Sequence, residues 1–583
     1  MKDQTIRKNN NPKARKESKR KTSDGGAAED NERLTIRKEL QSFFRKYGGR
    51  LITVLFFVML FVFGLFFLPN VNGNFDENAE QHILLANIKD YAEAFHVDEV
   101  ADAIHNKGVL AISVNPNRDH GIAAYYLFAP MLILKDSHPH IVSVAWHFYT
   151  YCLAFIGVIF FYLLMQYLFK NKKLSVILTM LYYFTPRMFV DSLHNNKDIV
   201  FMALLVAMIY FGVRFIKEKE FRWALFFAFV GAFVCNIKIL GLLFVGVIGM
   251  GYIIDLTIHK KWSVRNFMCG LTAVMILFVL YLALTPAIWG DGRFALIEYI
   301  QYCLGNAVNF GANVSVMFEG VLHHHEKDPL PWYYIPKLML VTLPIIISIL
   351  FIISVVMIIV DFFRNIRSHT FDFNNYVFVL IMTMFLIPLC IAMFSNPNLY
   401  NGWRHFYFLY SLALIVGSYA AYKLSNYKKM SFILTILICL TVISDIFCLF
   451  RYGMANTAYY NFLLGTDDLA GVYEMDYYNV SSQEALRQFM SSGKFEENED
   501  GKLYLYSSGF GEVVVGDMKT YITPSISQRI VVVTNDTLEK YQKRGKIIYN
   551  FSNPVYQYDD VSNYDLVYTY RFFNNSVINI YKM

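Results

Sequence analysis

The chain is poor in charged residues for its length. It has 583 residues, of which 17% are charged and 55% are hydrophobic, whereas soluble domains carry about a quarter charged residues. The apolar residues occur in long blocks, which indicates a protein that crosses a membrane several times. This pattern excludes an ordinary soluble domain. The net charge of +7 largely follows from basic loops on one side of the membrane, so we expect no nucleic-acid partner.

Cysteine is scarce, and its placement excludes further classes of protein. All seven cysteines lie in or near apolar segments, and none has CxxC spacing. Residues 451–583 contain no cysteine, which excludes a disulfide scaffold there. A signal-peptide layout is also missing, because residues 1–50 are polar and basic and no cleavage site follows the first apolar segment. We expect a disordered cytoplasmic tail over 1–50, attracted to anionic lipid headgroups.

Eleven apolar segments are near the length of about 20 residues that a bilayer core requires. Basic loops follow alternate segments, and the positive-inside rule assigns these loops to the cytoplasm. The predicted fold is a polytopic α-helical membrane protein with its N-terminus in the cytoplasm and a membrane domain over 51–450. The predicted spans are 51–69, 141–169, 174–186, 198–216, 221–236, 239–258, 267–288, 336–362, 375–394, 406–424 and 430–450.

This topology leaves three parts of the chain on the outer side. Residues 70–140 form a first outer loop, residues 289–335 form a second, and residues 451–583 form a C-terminal region. Five short β-branched and aromatic runs, with a helical pattern between the second and third, predict a small extracytoplasmic α/β domain in the C-terminal region. The spacing of Ser481 and Glu484 predicts a capping box at the start of a further helix.

Cations at the outer ends of the spans are few and therefore informative. Charges at this depth are costly and tend to face a cavity or a partner. Several of them converging on one cavity would suit an anionic headgroup such as a lipid phosphate. Snorkelling side chains, or local pairs such as Lys197 with Asp198, are the alternative. The basic and histidine side chains concerned are Arg187, His194, Lys197, Lys238, Arg404 and His405.

Two adjacent carboxylates, Asp76 and Glu77, follow the first span by a few residues. Taken alone they fit a solvated loop. Their position at the outer interface brings them to the level of the cations, where a carboxylate could accept a proton from an attacking hydroxyl. A leaving phosphate would then be stabilised by arginine and lysine. Adjacent carboxylates could also share a divalent ion such as Mg²⁺ or Mn²⁺.

Several motifs occur together in an order that resembles a known family. The most specific is FTPRMFVDSLHNNKDI, and it is accompanied by GNFDENAE, RDHGIAAYYLFAP and NGWRHFYFLY. With these motifs the chain resembles the GT-C superfamily of membrane glycosyltransferases, especially the protein O-mannosyltransferase-like and aminoarabinose-transferase-like branch. The resemblance covers about residues 50–480.

The resemblance implies a GT-C fold and an enzyme that moves a hexose or pentose from a polyprenyl-phosphate carrier to a hydroxyl on the outer face, with inversion. Carried over by position, Asp76 is the general base, and Glu77 supports it or binds metal. A divalent ion, Mg²⁺ or Mn²⁺, would be held by Asp76, Glu77 and Asp198. The residues implied at the donor headgroup and phosphate are Arg187, His194, Lys197, Asp198, Lys238, Arg404 and His405.

One departure from the family concerns the acceptor. Eukaryotic protein mannosyltransferases insert a β-trefoil domain into the loop after the seventh span, and residues 289–335 are too few to hold one. The acceptor hydroxyl therefore stays open between a glycan, a lipid and a protein. A composition rich in Asn, Lys, Ile and Tyr suits a low-GC bacterium, with an undecaprenyl-type carrier in the plasma membrane. A transporter or flippase of a lipid-linked glycan is the alternative function, although we find no internal repeat of the kind many transporters have.

Overall fold

The computed structural model describes residues 48–583, except for 75, 113–114, 116, 289–295, 309–314, 325–326, 396, 398, 400–401, 508–510 and 555–560. The predicted basic tail over 1–50 therefore lies almost wholly outside the described residues. The chain forms two compact units, of which one ends at Gly64 and the other runs from Leu65 to Met583. The second unit holds the candidate site and both sheets.

The chain up to Tyr452 is mainly helical. A short antiparallel hairpin joins β1 (Val316–Phe318) to β2 (Val321–His323). The helices are α1 Gly48–Asn70, α2 Glu77–Ala94, α3 Asp98–His105, α4 Pro139–Phe169, α5 Lys172–Phe184, α6 Pro186–Asp191, α7 Asp198–Glu218, α8 Phe221–Ile237, α9 Gly241–Ile258, α10 Val264–Leu284, α11 Leu296–Val308, α12 Tyr334–Thr342, α13 Ile345–Arg367, α14 Phe373–Phe394, α15 Phe408–Ser425 and α16 Lys428–Tyr452.

In the part of the chain that the structure describes, eight helices are long and apolar enough to cross a membrane: α1, α4, α7, α9, α10, α13, α14 and α16. Each of the eleven predicted segments coincides with helix, but α5 and α8 have only 13 and 17 residues, and α15 is not among the eight. The polytopic helical fold is confirmed, whereas the count of eleven spans is not.

Local chemistry explains two features of the helical part. The predicted span 336–362 is divided between α12 and α13 at Leu343, which is extended with φ −106° and ψ 151°. The cause is Pro344, because a proline ring disfavours the helical conformation of the residue before it. The packed pair α4 and α7 approach closely at Gly157, where an added Cβ would lie 2.7 Å from Cα of Ala203. Small residues of this kind allow membrane helices to pack tightly.

The C-terminal region contains all five predicted strands, which form one sheet. The strand order is β4-β3-β5-β7-β6, in which β4, β3 and β5 are parallel and β7 is antiparallel to both of its neighbours, β5 and β6. Two helices, α18 and the four-residue α19, were not predicted. The elements are α17 Ser482–Ser491, β3 Leu503–Tyr506, α18 Gly511–Tyr521, α19 Pro524–Ser527, β4 Ile530–Val532, α20 Asn535–Lys543, β5 Ile548–Ser552, β6 Asp565–Phe572 and β7 Asn575–Lys582.

The predicted capping box at the start of α17 is wrong. Ser481 makes no capping bond, and its hydroxyl instead donates to Oδ2 of Asp476 at 2.5 Å. The carboxylate of Glu484 accepts the N–H of Met454 at 2.6 Å. Both side chains therefore attach α17 to the segment that follows α16, because buried backbone and carboxylate groups there need partners.

Candidate active site

The acidic motif is the segment GNFDENAE, residues 73–80. Asp76 lies directly before α2 and is the most accessible carboxylate of this motif. Its Oδ2 is 3.1 Å from Nη1 of Arg404, and its side chain is 41% exposed. The N–H of Asp76 donates to Oδ1 of Asn74 at 2.9 Å, which fixes the turn before the helix. Although one side is open, burial by the surrounding protein raises the pKa of Asp76 above its usual value, against the opposing effect of Arg404.

Glu80, one turn further along α2, joins Asp76 in the same site. Its buried carboxylate places Oε1 3.2 Å from Nδ1 of His120 and 3.9 Å from Nζ of Lys197. Burial alone would raise the pKa of Glu80, but Lys197 and His120 outweigh it and lower that pKa. Sequence reasoning missed Glu80 and His120. The signal was present, because residues four apart on a helix share a face.

A third carboxylate of the site, Asp198, lies at the start of α7 and contacts a lysine from the end of α8. The N–H of Asp198 donates to Oδ1 of Asn195 at 2.8 Å. Oδ1 of Asp198 lies 2.6 Å from Nζ of Lys238, which directly follows α8. Lys238 also donates to the carbonyl of His405 at 3.2 Å. Segments far apart in the sequence therefore meet at the beginnings of α2 and α7.

These contacts define one charged cluster. Burial lowers the pKa of Lys238, and Asp198 opposes that effect. Burial also lowers the pKa of His405 well below its usual value, with Asp198 opposing and Arg404 reinforcing the decrease. Burial therefore disfavours the charged form of His405, and the positive charge of the site comes mainly from lysine and arginine. The charged cluster consists of Asp76, Glu80, His120, Lys197, Asp198, Lys238, Arg404 and His405.

Arg187 and His194 make their contacts outside the charged cluster. Arg187 is buried, donates to the carbonyl of Tyr459 at 3.2 Å, and lies over the ring of Tyr460 at 5.0 Å. His194 is fully buried with Nε2 3.0 Å from Oδ1 of Asp191. Their role at the donor headgroup stays a prediction.

Glu77 occupies an environment opposite to that of its neighbour Asp76. Its side chain is 3% exposed, and Oε1 lies 2.6 Å from Nε2 of His147 on α4. The hydroxyl of Tyr521, at the end of α18, donates to Oε2 of Glu77. Sequence reasoning missed both partners. A histidine inside an apolar span was the available signal for His147, since ionisable side chains there are rarely idle.

The three carboxylates predicted to hold a divalent ion face different partners. Asp76 faces Arg404, Glu77 is held by His147 and Tyr521, and Asp198 faces Lys238. Among the described residues, no group of three His, Cys, Asp or Glu side chains is arranged to hold a metal ion. In this arrangement the three carboxylates do not fit a shared Mg²⁺ or Mn²⁺.

Comparison with known proteins finds a family match over part of the chain. Residues 119–289 match the family model described as dolichyl-phosphate-mannose-protein mannosyltransferase. No curated protein matches the chain in sequence. The ArnT structure from Cupriavidus metallidurans, bound to undecaprenyl phosphate, is 9% identical with a TM-score of 0.42, and the alignment covers 92% of this chain and 98% of that chain. AglB from Archaeoglobus fulgidus, in complex with an inhibitory peptide and a dolichol-phosphate, is 10% identical with a TM-score of 0.40 and coverage of 87% and 70%.

The family statement rests on the sequence match. The matched segment contains four members of the charged cluster: His120, Lys197, Asp198 and Lys238. It also contains the Pro-Arg…Asn-x-Lys-Asp motif, which was the most specific part of the predicted resemblance. Residues 119–289 are therefore similar to the dolichyl-phosphate-mannose-protein mannosyltransferase family, in agreement with the predicted resemblance to the GT-C superfamily.

Proposed function

We propose that the protein transfers a sugar from a polyprenyl-phosphate carrier to an acceptor hydroxyl, with Asp76 as the general base. The observation that carries the proposal is the accessible Asp76 carboxylate, paired with Arg404 inside a cluster that also holds Lys197 and Lys238. The beginnings of α2 and α7 meet in this cluster, and the positive end of the helix dipole at a helix start favours anions such as phosphate. The donor class agrees with the family model that matches residues 119–289.

The proposed reaction is a single displacement at the anomeric carbon of the sugar. The acceptor oxygen forms a bond to this carbon while its proton passes to the carboxylate of Asp76. The bond from the anomeric carbon to the carrier phosphate breaks, and its electron pair leaves on the phosphate oxygen. Negative charge grows on that oxygen, where Arg404 and Lys197 stabilise it. One displacement inverts the configuration of the transferred carbon.

Asp76 fits the role of base better than the other two acids at the start of α2. Glu77 and Glu80 are both buried, and each is held by a histidine, His147 or His120. Asp76 keeps an open side. Its raised pKa also makes it a stronger proton acceptor than an ordinary aspartate, which favours general-base catalysis near neutral pH.

The proposed cellular setting follows the sequence pattern. The basic loops support a cytoplasmic N-terminus, with the charged cluster and the C-terminal domain on the outer face. There the substrate is a hexose or pentose on an undecaprenyl-type carrier in a bacterial plasma membrane. The acceptor is a hydroxyl of a glycan, a lipid or a protein.

Replacement of Asp76 tests the proposal. Purified full-length protein is mixed with radiolabelled mannose, glucose or arabinose on undecaprenyl phosphate, and with an envelope extract from a deletion strain as the acceptor pool. We expect label to move from the lipid to the extract with the wild type. Asp76→Asn should keep donor binding and lose about 10²–10⁴-fold in kcat. The control Asp136→Asn changes an exposed carboxylate that pairs with Lys107 at 2.5 Å, and should keep full activity.

Two results would contradict the proposal. Normal turnover by Asp76→Asn would show that Asp76 is not the general base. The wild type could instead move the intact labelled donor across vesicle membranes without transferring sugar. This result would make the protein a flippase and not a transferase.

A further inference from the structure

Glu77 is enclosed by donors from three different parts of the chain. Nε2 of His147 lies 2.6 Å from Oε1, and the N–H of Asn74 donates to the same oxygen at 3.3 Å. The hydroxyl of Tyr521 donates to Oε2. A carboxylate that is buried and bound on both oxygens has no open side for a substrate, so Glu77 holds structure rather than reacting.

Tyr521 reaches Glu77 because α18 packs closely on this part of the molecule. The ring of Tyr521 stacks on the ring of His147, with ring centres 4.8 Å apart and planes 21° from parallel. The carbonyl of Thr520 lies 3.2 Å from Nδ1 of His140, at the start of α4. Gly73 provides the necessary space, because an added Cβ there would lie 2.5 Å from the Tyr521 ring. The end of α18 therefore occupies a fitted place beside the acidic motif.

The turn that Glu77 stabilises is the turn that carries Asp76. Asn74 donates its N–H to Glu77 and accepts the N–H of Asp76 on Oδ1 at 2.9 Å. The carbonyl of Asp76 accepts the N–H of Glu80 at 2.9 Å, which starts the helix. The side-chain amide of Asn74 also donates to the carbonyl of His194 at 3.0 Å, next to the start of α7. Glu77 and Asn74 therefore hold the backbone of Asp76 through a connected set of hydrogen bonds.

We propose that Tyr521 of the C-terminal domain is a positioning residue for sugar transfer: its hydrogen bond to Glu77 holds the first turn of α2 and directs the Asp76 carboxylate toward the acceptor. This inference rests on the proposed function of Asp76. The residue acts through Glu77 and does not touch the substrate. Small displacements of a catalytic group are costly, since reacting atoms must meet within a narrow range of distance and angle.

The variant Tyr521→Phe tests this role, because it removes one hydroxyl and keeps the ring that stacks on His147. The matched control is Tyr504→Phe, which removes a tyrosine hydroxyl that donates to Oδ2 of Asp500 at 2.8 Å in the same domain. Both variants are assayed as full-length protein with the labelled undecaprenyl-phosphate sugars. Tyr521→Phe should lower kcat about tenfold, as expected for a lost hydrogen bond to a charged group, and leave KM for the donor unchanged. Tyr504→Phe should leave both unchanged.

A second measurement does not depend on activity. Hydrogen exchange of the amides in residues 73–80 should be faster in Tyr521→Phe than in the wild type, and unchanged in Tyr504→Phe. The thermal unfolding temperatures of the two variants should be equal. In the background of Glu77→Gln, Tyr521→Phe should have little further effect on kcat, because the two residues act through one contact.

Three outcomes would overturn the positioning role. The first is wild-type kcat and wild-type exchange at 73–80 in Tyr521→Phe. The second is faster exchange throughout the C-terminal domain together with a lower unfolding temperature, which would make the effect one of domain stability. The third is full additivity with Glu77→Gln. Failure of the proposed function is a separate result: the wild type would transfer no sugar, while exchange at 73–80 would still report on the contact.

Discussion

The two ends of α7 carry ion pairs of opposite character. Lys219, directly after the helix, pairs with Asp255 of α9, and both side chains are buried. Lys219 also donates to the carbonyl of Ile216 at 2.7 Å. Both charges of this pair are buried and face each other.

At the other end of α7 the charges are shared among several partners. Lys197 is 21% exposed, and its Nζ lies 3.9 Å from Glu80, beyond the length of a good hydrogen bond. Asp198, the next residue, faces Lys238. One end of the helix therefore uses a buried ion pair to hold two helices together, and under the proposed function the other end keeps Lys197 available for an anion. Both ends contain buried charges, so burial does not distinguish them. They differ in how closely each lysine is paired with its carboxylate.

The largest expected effect is on folding, at the closed end. Asp255→Asn leaves Lys219 buried without its counter-charge, which should cost about 3 kcal/mol in the free energy of unfolding. Thermal unfolding in detergent measures this loss. Transfer per folded molecule should be unchanged.

The control for that change is an exposed pair near the same helices. Glu220→Gln breaks a surface contact with Arg222 at 2.6 Å, and should cost less than about 1 kcal/mol. If Asp255→Asn unfolds no more easily than Glu220→Gln, the closed end does not stabilise the fold.

The next effect is on catalysis, at the open end. Arg404→Gln should lower kcat about 10²-fold, since it removes a cation from the leaving phosphate. Arg404 also lowers the pKa of Asp76, so its removal raises that pKa. The base works only when ionised, and the acid limb of the pH–kcat profile should therefore move to higher pH. Arg222→Gln is the control, and movement of the limb to lower pH would contradict the assignment.

A smaller effect should follow from Lys197→Gln. Its loose contact with Glu80 leaves it able to turn toward a phosphate, so we expect KM for the labelled undecaprenyl-phosphate donor to rise about tenfold. The value of kcat should fall less than in Arg404→Gln. Lys107→Gln, which removes the partner of Asp136, should leave KM unchanged. An unaltered KM in Lys197→Gln would show that Lys197 does not bind the donor phosphate.

The last effect is local, a pH dependence where the C-terminal domain meets the acidic motif. Burial, together with the nearby charge of Glu77, raises the pKa of Asp517 on α18 from 3.8 to about 8, with Lys135 opposing. A raised pKa means that the folded state binds the proton more tightly, so stability is lost as pH rises from about 4 through 8. Hydrogen exchange at 513–521, corrected for its intrinsic pH dependence, should show more opening above pH 8. Asp517→Asn should remove that pH dependence, and its persistence would assign it to another group.

Sequence patterns predicted the helices and strands well where the signal is local. Hydropathy placed helix at every predicted span, and alternation of apolar residues located β3 to β7. The exception is α18, whose EVVVG run at 512–516 is rich in β-branched residues that favour strands. It folds as helix where it packs against β3, β4 and α4, so tertiary contacts override local preference.

Membrane topology predicted which residues of the site lie near one another, because it places them at the same depth in the membrane. Outer-edge position grouped Asp76 with Lys197, Lys238 and Arg404, and the structure places all four in the charged cluster. Their catalytic roles stay a prediction. The surroundings of Glu77 could not be predicted, because its partner Tyr521 is 444 positions away and no periodicity or spacing reports a contact at that distance.

The same separation sets an order of events during synthesis. A ribosome adds about 5–20 residues per second, so the Glu77 carboxylate waits tens of seconds before Tyr521 is made. Under the positioning role proposed for Tyr521, a nascent or prematurely terminated chain has its cations and its base but lacks the contact that directs them. Under this role, a chain becomes fully active only after its synthesis has passed α18.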